Sequence, residues 1–244
     1  MSIELVGLLT LGVFVISILY SSVGHAGASG YIAVMSLFSM APEEIKPAAL
    51  SLNILVAVIG FLNFYRAGHF SWTFTWPFVV LSIPAAFAGG YLNLPAEIFE
   101  ILVGTILLFS AIRFLFKMKE PDEILNIHPS VKATSGAGIG FLAGLTGTGG
   151  GIFLTPFILL MKWAPVKVTA AASVVFILVN SIAGLTGNIT ATSSLPVFVL
   201  PMAIAVMIGG FTGSYLGSQS WNATTIKRVL SIVLFIAGIK LIFT

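Results

Sequence analysis

The chain has 244 residues, of which 58% are hydrophobic and only 8% are charged, and its mean hydropathy is +1.10. This composition excludes an ordinary water-soluble domain and is typical of proteins that cross a membrane several times. The net charge of +3 includes 11 basic residues that are scattered and form no stripe, which argues against nucleic-acid binding. Because the chain contains no cysteine, it has no disulfide and no thiol nucleophile.

The first apolar stretch, Ile3 to Tyr20, lacks a basic leading region and an Ala-x-Ala cleavage site, so we interpret it as a retained membrane span. Along the whole chain, apolar runs between polar, glycine or proline breaks predict ten helical segments. Their ranges are 5–22, 28–40, 45–65, 73–93, 98–117, 133–147, 150–162, 166–187, 196–217 and 224–243. Segments 28–40 and 150–162 are too short to span, because about 13 helical residues reach roughly 20 Å and a bilayer core is about 30 Å thick.

The two halves of the sequence resemble each other at a spacing of 123 residues, which rises to 127 near the end of each half. The matching pairs include Gly24 and Gly147, Gly27 and Gly150, Ala41-Pro42 and Ala164-Pro165, Tyr91-Leu92 and Tyr215-Leu216, and Ile112 and Ile239. We therefore predict a first membrane repeat over 1–118, a linker over 119–131 and a second repeat over 132–244. Since each repeat holds five segments, an odd number, the second repeat enters the membrane from the opposite side and the repeats are inverted.

The charged residues predict the orientation of this arrangement. Nine of the 11 basic residues fall on the side of the linker, and only Lys46 and Lys240 fall on the other side. Cytoplasmic loops of membrane proteins carry an excess of Lys and Arg. We therefore expect a multi-pass protein of the cytoplasmic membrane, with the linker in the cytoplasm and both termini outside.

Two glycine-rich stretches interrupt the apolar pattern where a membrane helix would be deepest. "SSVGHAGASG" covers residues 21–30 and "LTGTGGG" covers residues 145–151, and each leads into one of the short segments. Irregular backbone at membrane depth is tolerated only where protein or a polar cavity receives it. A helix that begins at Ala28 or Gly150 directs its unpaired N–H groups and the positive end of its dipole toward the break. We therefore predict an anion site where two such helix ends converge near the middle of the membrane.

Glycines in membrane helices can also serve simply to let helices approach each other. We assign this packing role to Gly89-Gly90 and Gly209-Gly210, which lie inside full-length segments. The glycines of 147–151 are crowded together before a short segment, and that pattern fits a break better than a packing face.

His25 is the one Asp, Glu, Lys, Arg or His side chain predicted at mid-membrane depth, where ionisable residues are functional by default. As an imidazolium it would attract an anion and could carry a proton, although a neutral packing role is the alternative. Nearby hydroxyls and amides can complete the hydrogen-bond shell of an anion, or bond only to carbonyls of their own helix. The predicted substrate-binding residues are Ser21, Ser22, Gly24, His25, Gly27, Ser29, Asn53, Thr146, Thr148, Gly149, Gly150, Gly151 and Asn180.

The sequence contains no P-loop, no HExxH motif, no metal-binding cluster and no nucleophile elbow, and we expect no carboxylate in the membrane core. We therefore predict no enzymatic activity, no catalytic residue, no cofactor and no metal site. A sodium site would have to consist of carbonyl and hydroxyl oxygens alone.

Several stretches of the sequence carry a family resemblance, among them the turn "YRAGHFSW" and the late glycine-rich pair. The breaks continue as "GHAGASGYIAVMSLFSMAP" and "GTGGGIFLTPFILLMKWAP", and alanine-rich entries into long helices follow as "KPAALSLNILVAVIG" and "VTAAASVVFILVNSIAG". In these stretches, and over nearly its full length, the chain resembles the sulfite exporter TauE/SafE family, also called the TSUP family. The resemblance implies transport of sulfite, sulfonates, sulfoacetate or other small organic anions. The family's glycine triplet is present at 149–151, whereas the first half reads "HAGAS" at 25–29, so we expect an asymmetric site.

These patterns predict a secondary transporter, more specifically an exporter, that works by alternating access around a midplane anion site. Its partners would be a small anion and the lipid bilayer, with no nucleic acid, and a homodimer is compatible with the sequence. An anion channel, in which the same breaks form a constriction, is one alternative. A noncatalytic membrane subunit of a larger complex is the other.

Overall fold

The computed structural model describes residues 3–22, 27–116, 121, 123–193, 197–219 and 223–243. In these residues the chain forms ten α-helices and one short 3₁₀ turn, Val197–Val199, and it forms no strand. The helices are α1 (Ile3–Ser22), α2 (Ala28–Leu37), α3 (Pro42–Arg66), α4 (Trp72–Tyr91), α5 (Ala96–Leu115), α6 (Pro129–Thr146), α7 (Gly151–Leu160), α8 (Val166–Thr192), α9 (Leu200–Gln219) and α10 (Ala223–Phe243). The prediction of an all-helical chain with ten helical segments is confirmed.

Several helices extend beyond the apolar runs that predicted them, and α3 and α8 are two examples. α3 begins at Pro42 instead of 45, because proline suits the first helical position and the carboxylate of Glu43 interacts favourably with the positive end of the helix. α8 continues to Thr192 instead of ending at 187. Its last turns are polar, and the hydroxyls of Thr186 and Thr190 donate to carbonyls four residues earlier, both at 2.8 Å.

Several helices have the length and composition of membrane spans. Within the described residues, four are long and apolar enough to cross a bilayer: Glu4–Ser21 in α1, α3, α4 and α8. Shorter apolar helices are Ala28–Leu37, Gly151–Leu160 and Leu200–Gly213. The fold is therefore that of a multi-pass membrane protein.

The helices form two compact units that mix the two halves of the sequence. One unit consists of residues 1–56, 94–116 and 195–244, and the other of residues 57–93 and 117–194. The first contains α1, α2, α5, α9 and α10 with the start of α3, and the second contains α4, α6, α7 and α8 with the rest of α3. The division into repeats 1–118 and 132–244 stays a prediction.

In the first unit, α1 packs along α9 and α5 packs along α10, while α2 contacts both α1 and α10. The core between them is largely aliphatic, and Tyr31, Leu107 and Met202 within it have no exposed surface. The Ser17 hydroxyl of α1 donates to the Val206 carbonyl of α9 at 2.8 Å. A buried hydroxyl thus finds its partner on the neighbouring helix, as satisfied polar groups in apolar surroundings must.

In the second unit, α4 packs against both α6 and α8, and α7 contacts both α8 and α6. Gly136, Gly140 and Gly144 recur every four residues along α6 and face α4. A Cβ added to Gly144 would overlap the Ala86 carbonyl oxygen, and one added to Gly140 would lie 2.7 Å from the Ser82 carbonyl oxygen. These small residues let the helix backbones touch, which is a common way to pack helices in membranes.

The packing role predicted for Gly89 and Gly90 is confirmed, because an added Cβ would overlap the backbone of α6 at the first and of α8 at the second. The same role is confirmed for Gly209, where an added Cβ would lie 2.8 Å from the Phe14 carbonyl oxygen of α1. Gly210 differs from these three, since its nearest neighbours would lie 3.5 Å away at an ordinary contact distance.

Candidate functional site

The predicted site residues fall into two groups, one in each compact unit. Those of the first unit are Ser21, Ser22, Gly24, His25, Gly27, Ser29 and Asn53, and those of the second are Thr146, Thr148, Gly149, Gly150, Gly151 and Asn180. Gly24 and His25 lie outside the described residues, as does the side chain of Ser22. All the described members are uncharged, so dipoles and hydrogen bonds are what they can offer to a ligand.

In the first unit, α2 begins directly after Gly27, its N-cap residue. The Tyr31 N–H donates to the Gly27 carbonyl at 2.9 Å, and the Tyr31 ring covers Gly27 so closely that an added Cβ would lie 2.5 Å from the ring carbon Cζ. The hydroxyls of Ser29 and Tyr20 lie 2.7 Å apart and join α2 to the end of α1. Since every residue from Ala28 to Ser36 is buried, the first turn of α2 is enclosed by protein.

The other two described residues of this group occupy different surroundings. Ser21 is half-buried, and its hydroxyl lies beside Gly210 of α9. Asn53 is fully buried within α3. The structure therefore brings Ser29 to the start of α2 and Ser21 to α9.

In the second unit, the chain between α6 and α7 has an unusual backbone. Gly147, Gly149 and Gly150 have φ of 80, 70 and 84°, all in the left-handed region. That region costs an L-residue with a side chain about 1–2 kcal/mol, which glycine avoids. The Thr146 hydroxyl donates to the Leu142 carbonyl at 2.7 Å and lies 3.0 Å from the Thr148 hydroxyl.

The start of α7 lies directly on α8. Gly150 is the N-cap of α7, and an added Cβ there would lie 2.7 Å from Cε1 of Phe176. One added to Gly151 would overlap the Ile177 side chain. One turn further along α7, the Thr155 hydroxyl donates to the Ser173 hydroxyl at 2.8 Å. Glycine is thus required here for close contact as well as for backbone conformation.

Asn180 lies on the next turn of α8 beyond these contacts. Thr155 of α7 contacts Ser173 of α8, and one turn earlier in α7 Gly151 lies against Ile177, one turn later in α8. The two helices therefore run in opposite directions, and the turn of α8 that carries Asn180 lies beyond the start of α7. The Asn180 side-chain NH₂ donates to the Phe176 carbonyl at 2.8 Å. Among the described residues its buried Oδ1 has no hydrogen-bond partner, which leaves an acceptor whose desolvation costs about 1–3 kcal/mol.

Sequence reasoning missed several polar residues in these surroundings. Lys46, which was predicted to lie on the outer side of the membrane, is only 4% exposed within the first turns of α3. Tyr20 and Thr155 join the site helices to their neighbours. The signal that selected Thr146, a hydroxyl within an apolar segment, would also have selected Thr155.

Across the described residues, no group of three or more His, Asp or Glu side chains is close enough together to hold a metal ion. Each of the two groups offers a helix start, hydroxyls and an amide. Such groups can bind a small ligand through hydrogen bonds and helix dipoles.

Comparison with known proteins identifies the family. The sulfite exporter TauE/SafE family model matches residues 9–241. A protein of Sinorhizobium fredii named as a probable membrane transporter is 39% identical over 248 residues, which cover 100% of both chains. A protein of Methanocaldococcus jannaschii with the same description is 25% identical over 245 residues and covers 93% of this chain and 91% of its own. No solved structure matches the chain. With a family model that spans almost every helix described above, the chain belongs to the sulfite exporter TauE/SafE family of membrane transporters.

Proposed function

We propose that the protein is a secondary transporter that exports small sulfur-containing or organic anions, such as sulfite, sulfonates or sulfoacetate, across the cytoplasmic membrane. Membership of the family and the names of the relatives support membrane transport. The backbone geometry of α2 and α7 supports the choice of an anion as the substrate.

The observation that carries the proposal is that α2 and α7, each of ten residues, occupy matching positions at a spacing of 123 residues and share the first backbone bond and the closing bonds, although Gly27 has φ of −87° and Gly150 has φ of 84°. At their starts, the Tyr31 N–H donates to Gly27 at 2.9 Å and the Leu154 N–H donates to Gly150 at 3.0 Å. At the C-terminal end of α2, the N–H groups of Phe38, Ser39 and Met40 donate to the carbonyls of Val34, Ser36 and Met35, respectively. At the end of α7, the N–H groups of Met161, Lys162 and Trp163 donate in the same way to Phe157, Leu159 and Ile158. The first N–H groups of a helix have no partner inside it, and an anion can accept from them.

The transport cycle follows from two inverted repeats over 1–118 and 132–244, with the cytoplasmic linker at 119–131 and both termini outside. The anion would bind near the middle of the membrane, where the first turn of a short helix offers free N–H groups, and the repeats would expose it to each side in turn. The hydroxyls of Ser21, Ser22, Ser29, Thr146 and Thr148 would complete its hydrogen-bond shell. Glycines in both breaks would allow close approach of the anion to backbone N–H groups.

His25 would add positive charge to the first break when its ring is protonated. We expect His25→Ala to weaken anion binding most at low pH, because the imidazolium is populated only below its pKa. Binding measured between about pH 5.5 and 8 tests this role, and identical affinities of both proteins across that range would assign His25 to packing.

The unpaired Oδ1 of Asn180 suggests which anions bind best. A buried acceptor on the turn of α8 beyond the start of α7 would favour an anion that carries its own donor, such as hydrogensulfite or a hydroxyalkanesulfonate, because the donor would satisfy the oxygen. Asn53 would play the corresponding part in the first unit, as a buried amide on α3.

The test is counterflow in liposomes that contain the purified protein. Vesicles loaded with unlabelled sulfite are diluted into buffer with a trace of ³⁵S-sulfite, and a carrier must accumulate label transiently above its equilibrium level. Thermal shifts with sulfite, sulfonates, thiosulfate and carboxylates rank the ligands, since a ligand that binds the native state raises its stability.

Two results would contradict the proposal. Equilibration of the label without transient accumulation would identify an anion channel. Absence of both ligand-induced stabilisation and flux for every anion in the panel would exclude anion transport by the isolated chain.

A further inference from the structure

The ammonium group of Lys240, near the end of α10, lies at the C-terminal end of α2. It donates to the carbonyls of Ser36 and Leu37, both at 2.9 Å, and to the Ser39 hydroxyl at 2.8 Å. These three bonds match the three N–H groups of an ammonium. The last carbonyls of a helix lack partners within it and carry the negative end of its dipole, so a cation from another helix stabilises this end.

The backbone at this end of α2 supports the same contact. Ser39 has φ of 55° in the left-handed region, which a residue with a side chain adopts only at a cost of about 1–2 kcal/mol. Its N–H donates to the Ser36 carbonyl at 2.9 Å, and the Met40 N–H donates to the Met35 carbonyl at 3.2 Å. Backbone hydrogen bonds within this turn close it, and Lys240 binds the closed turn.

The corresponding end of α7 is held in another way. Lys162 matches Ser39 in the repeat and has φ of 58°, but its carbonyl accepts from the Leu125 N–H at 2.9 Å. Arg113 matches Lys240 at the spacing of 127, and its guanidinium donates to the Phe116 carbonyl at the end of its own helix. Of the two short helices, only α2 has a described hydrogen bond from a lysine ammonium at its C-terminal end.

A cavity of about 90 Å³ lies beside the contact and is lined by Ser36, Ser39, Glu100 and Lys240, among others. The Ser36 hydroxyl is buried and has no hydrogen-bond partner in the part of the chain that the structure describes. Ser29 bonds to Tyr20 at the start of α2, and the residues between the two ends are buried mainly among apolar side chains, which do not by themselves define the position of the helix along its own axis. Directional bonds at one end can define it.

We propose that Lys240 is a positioning residue for substrate binding: its ammonium fixes the C-terminal end of α2, and thereby places the N–H groups at the start of α2 for the anion. This inference rests on the proposed function. Without Lys240, α2 would occupy the competent position for a smaller fraction of the time, and the apparent dissociation constant rises in inverse proportion to that fraction.

Hydrogen exchange tests the positioning independently of any substrate. In Lys240→Met we expect faster exchange of the amides of residues 28–37 and unchanged exchange of residues 151–160, with recovery in Lys240→Arg. Arg113→Met is the matched control, because it removes a cation that contacts no short helix through a described hydrogen bond, and it should leave both segments unchanged. Equal exchange of 28–37 in wild type and Lys240→Met, or equally faster exchange of both segments, would overturn the proposal.

Transport kinetics supply the second arm. We expect Lys240→Met to raise KM about tenfold with kcat changed less than about twofold, because a depleted competent state lowers apparent affinity. If the wild type is active and Lys240→Met has an unchanged KM, the role in binding is refuted.

If Lys240→Met does not fold, Ser39→Ala is the second variant. It removes one of the three acceptors and should raise KM by a smaller factor, and an unchanged KM in this variant would also count against the proposal. A wild type inactive toward all anions would instead defeat the proposed function, while the exchange result would still decide whether Lys240 positions α2.

Discussion

α2 and α7 share a backbone pattern but are held by different side chains. Polar contacts secure α2, namely the Tyr20–Ser29 pair at its start and Lys240 at its end. Close glycine contacts and the Thr155–Ser173 hydrogen bond secure the first turns of α7, and the Leu125–Lys162 backbone bond and aromatic packing secure its end. There Trp163 is 6% exposed and its ring lies 5.1 Å from that of Phe157 in a T-shaped arrangement.

This difference shows which part of the repeated pattern the two helices have in common. Backbone hydrogen bonds recur at the spacing of 123 residues, while the side chains that anchor each helix have diverged. The two short helices can therefore present similar N–H groups to a ligand and respond differently to mutation. Four mutations test which contacts hold the helices and which would bind a ligand. The first is at Gly144, whose role is helix packing.

The largest effect is expected for Gly144→Val on α6. Its side chain would overlap the Ala86 backbone, which cannot move away as a flexible side chain can. We expect a loss of more than about 3 kcal/mol of stability and little folded protein, as judged by gel filtration and thermal unfolding. Gly138→Val is the matched control, because an added Cβ at Gly138 meets nothing within 4 Å. Similar losses in both variants would contradict the packing role.

The next effect is expected for Gly150→Ala at the start of α7. The left-handed φ of 84° and the contact with Phe176 both oppose a methyl group, so the first turn of α7 must shift. A displacement of this kind can lower transport about 100-fold while the protein still folds. Counterflow measures the loss, and Gly138→Ala should transport like wild type. Normal transport by Gly150→Ala would show that the start of α7 does not bind the anion.

A smaller effect is expected for Asn180→Leu on α8. It removes the buried acceptor, so the affinity for 2-hydroxyethanesulfonate should fall about tenfold, in line with a cost of about 1–3 kcal/mol for an unmatched polar group. Ethanesulfonate, which lacks the hydroxyl, should lose much less. Asn188 lies on the same helix and also has a buried Oδ1 with no hydrogen-bond partner among the described residues, so Asn188→Leu is the control. Equal losses for both ligands would refute the selectivity assigned to Asn180.

The smallest effect is expected for Tyr20→Phe in the first unit. It breaks the 2.7 Å bond to Ser29, and a single buried hydrogen bond contributes about 1 kcal/mol to stability. Thermal unfolding should detect this loss, whereas Tyr91→Phe on the 50% exposed ring of α4 should be neutral. If Tyr20→Phe is as stable as wild type, polar contacts do not secure α2 at its start.

The sequence by itself determined the helical class, the number of helices and the fact that α2 and α7 are short, although it predicted about 13 residues for each and the helices have ten. These properties depend on runs of neighbouring residues, since apolar length and nearby glycine or proline decide where a helix can continue. The close packing at Gly89, Gly90 and Gly209 was also predictable, because glycine inside a long apolar segment has few other uses. The inverted orientation of the repeats and the anion site itself stay predictions.

Only the tertiary structure decided which distant groups meet. It joined Lys240 to the end of α2, paired Thr155 with Ser173, buried Lys46 and left Asn180 with an open acceptor. Each of these depends on how one helix packs against another, and a side chain's own sequence neighbours carry little information about its partner more than a hundred residues away. Local chemistry therefore specified the helices, and their packing specified the contacts that any anion would meet.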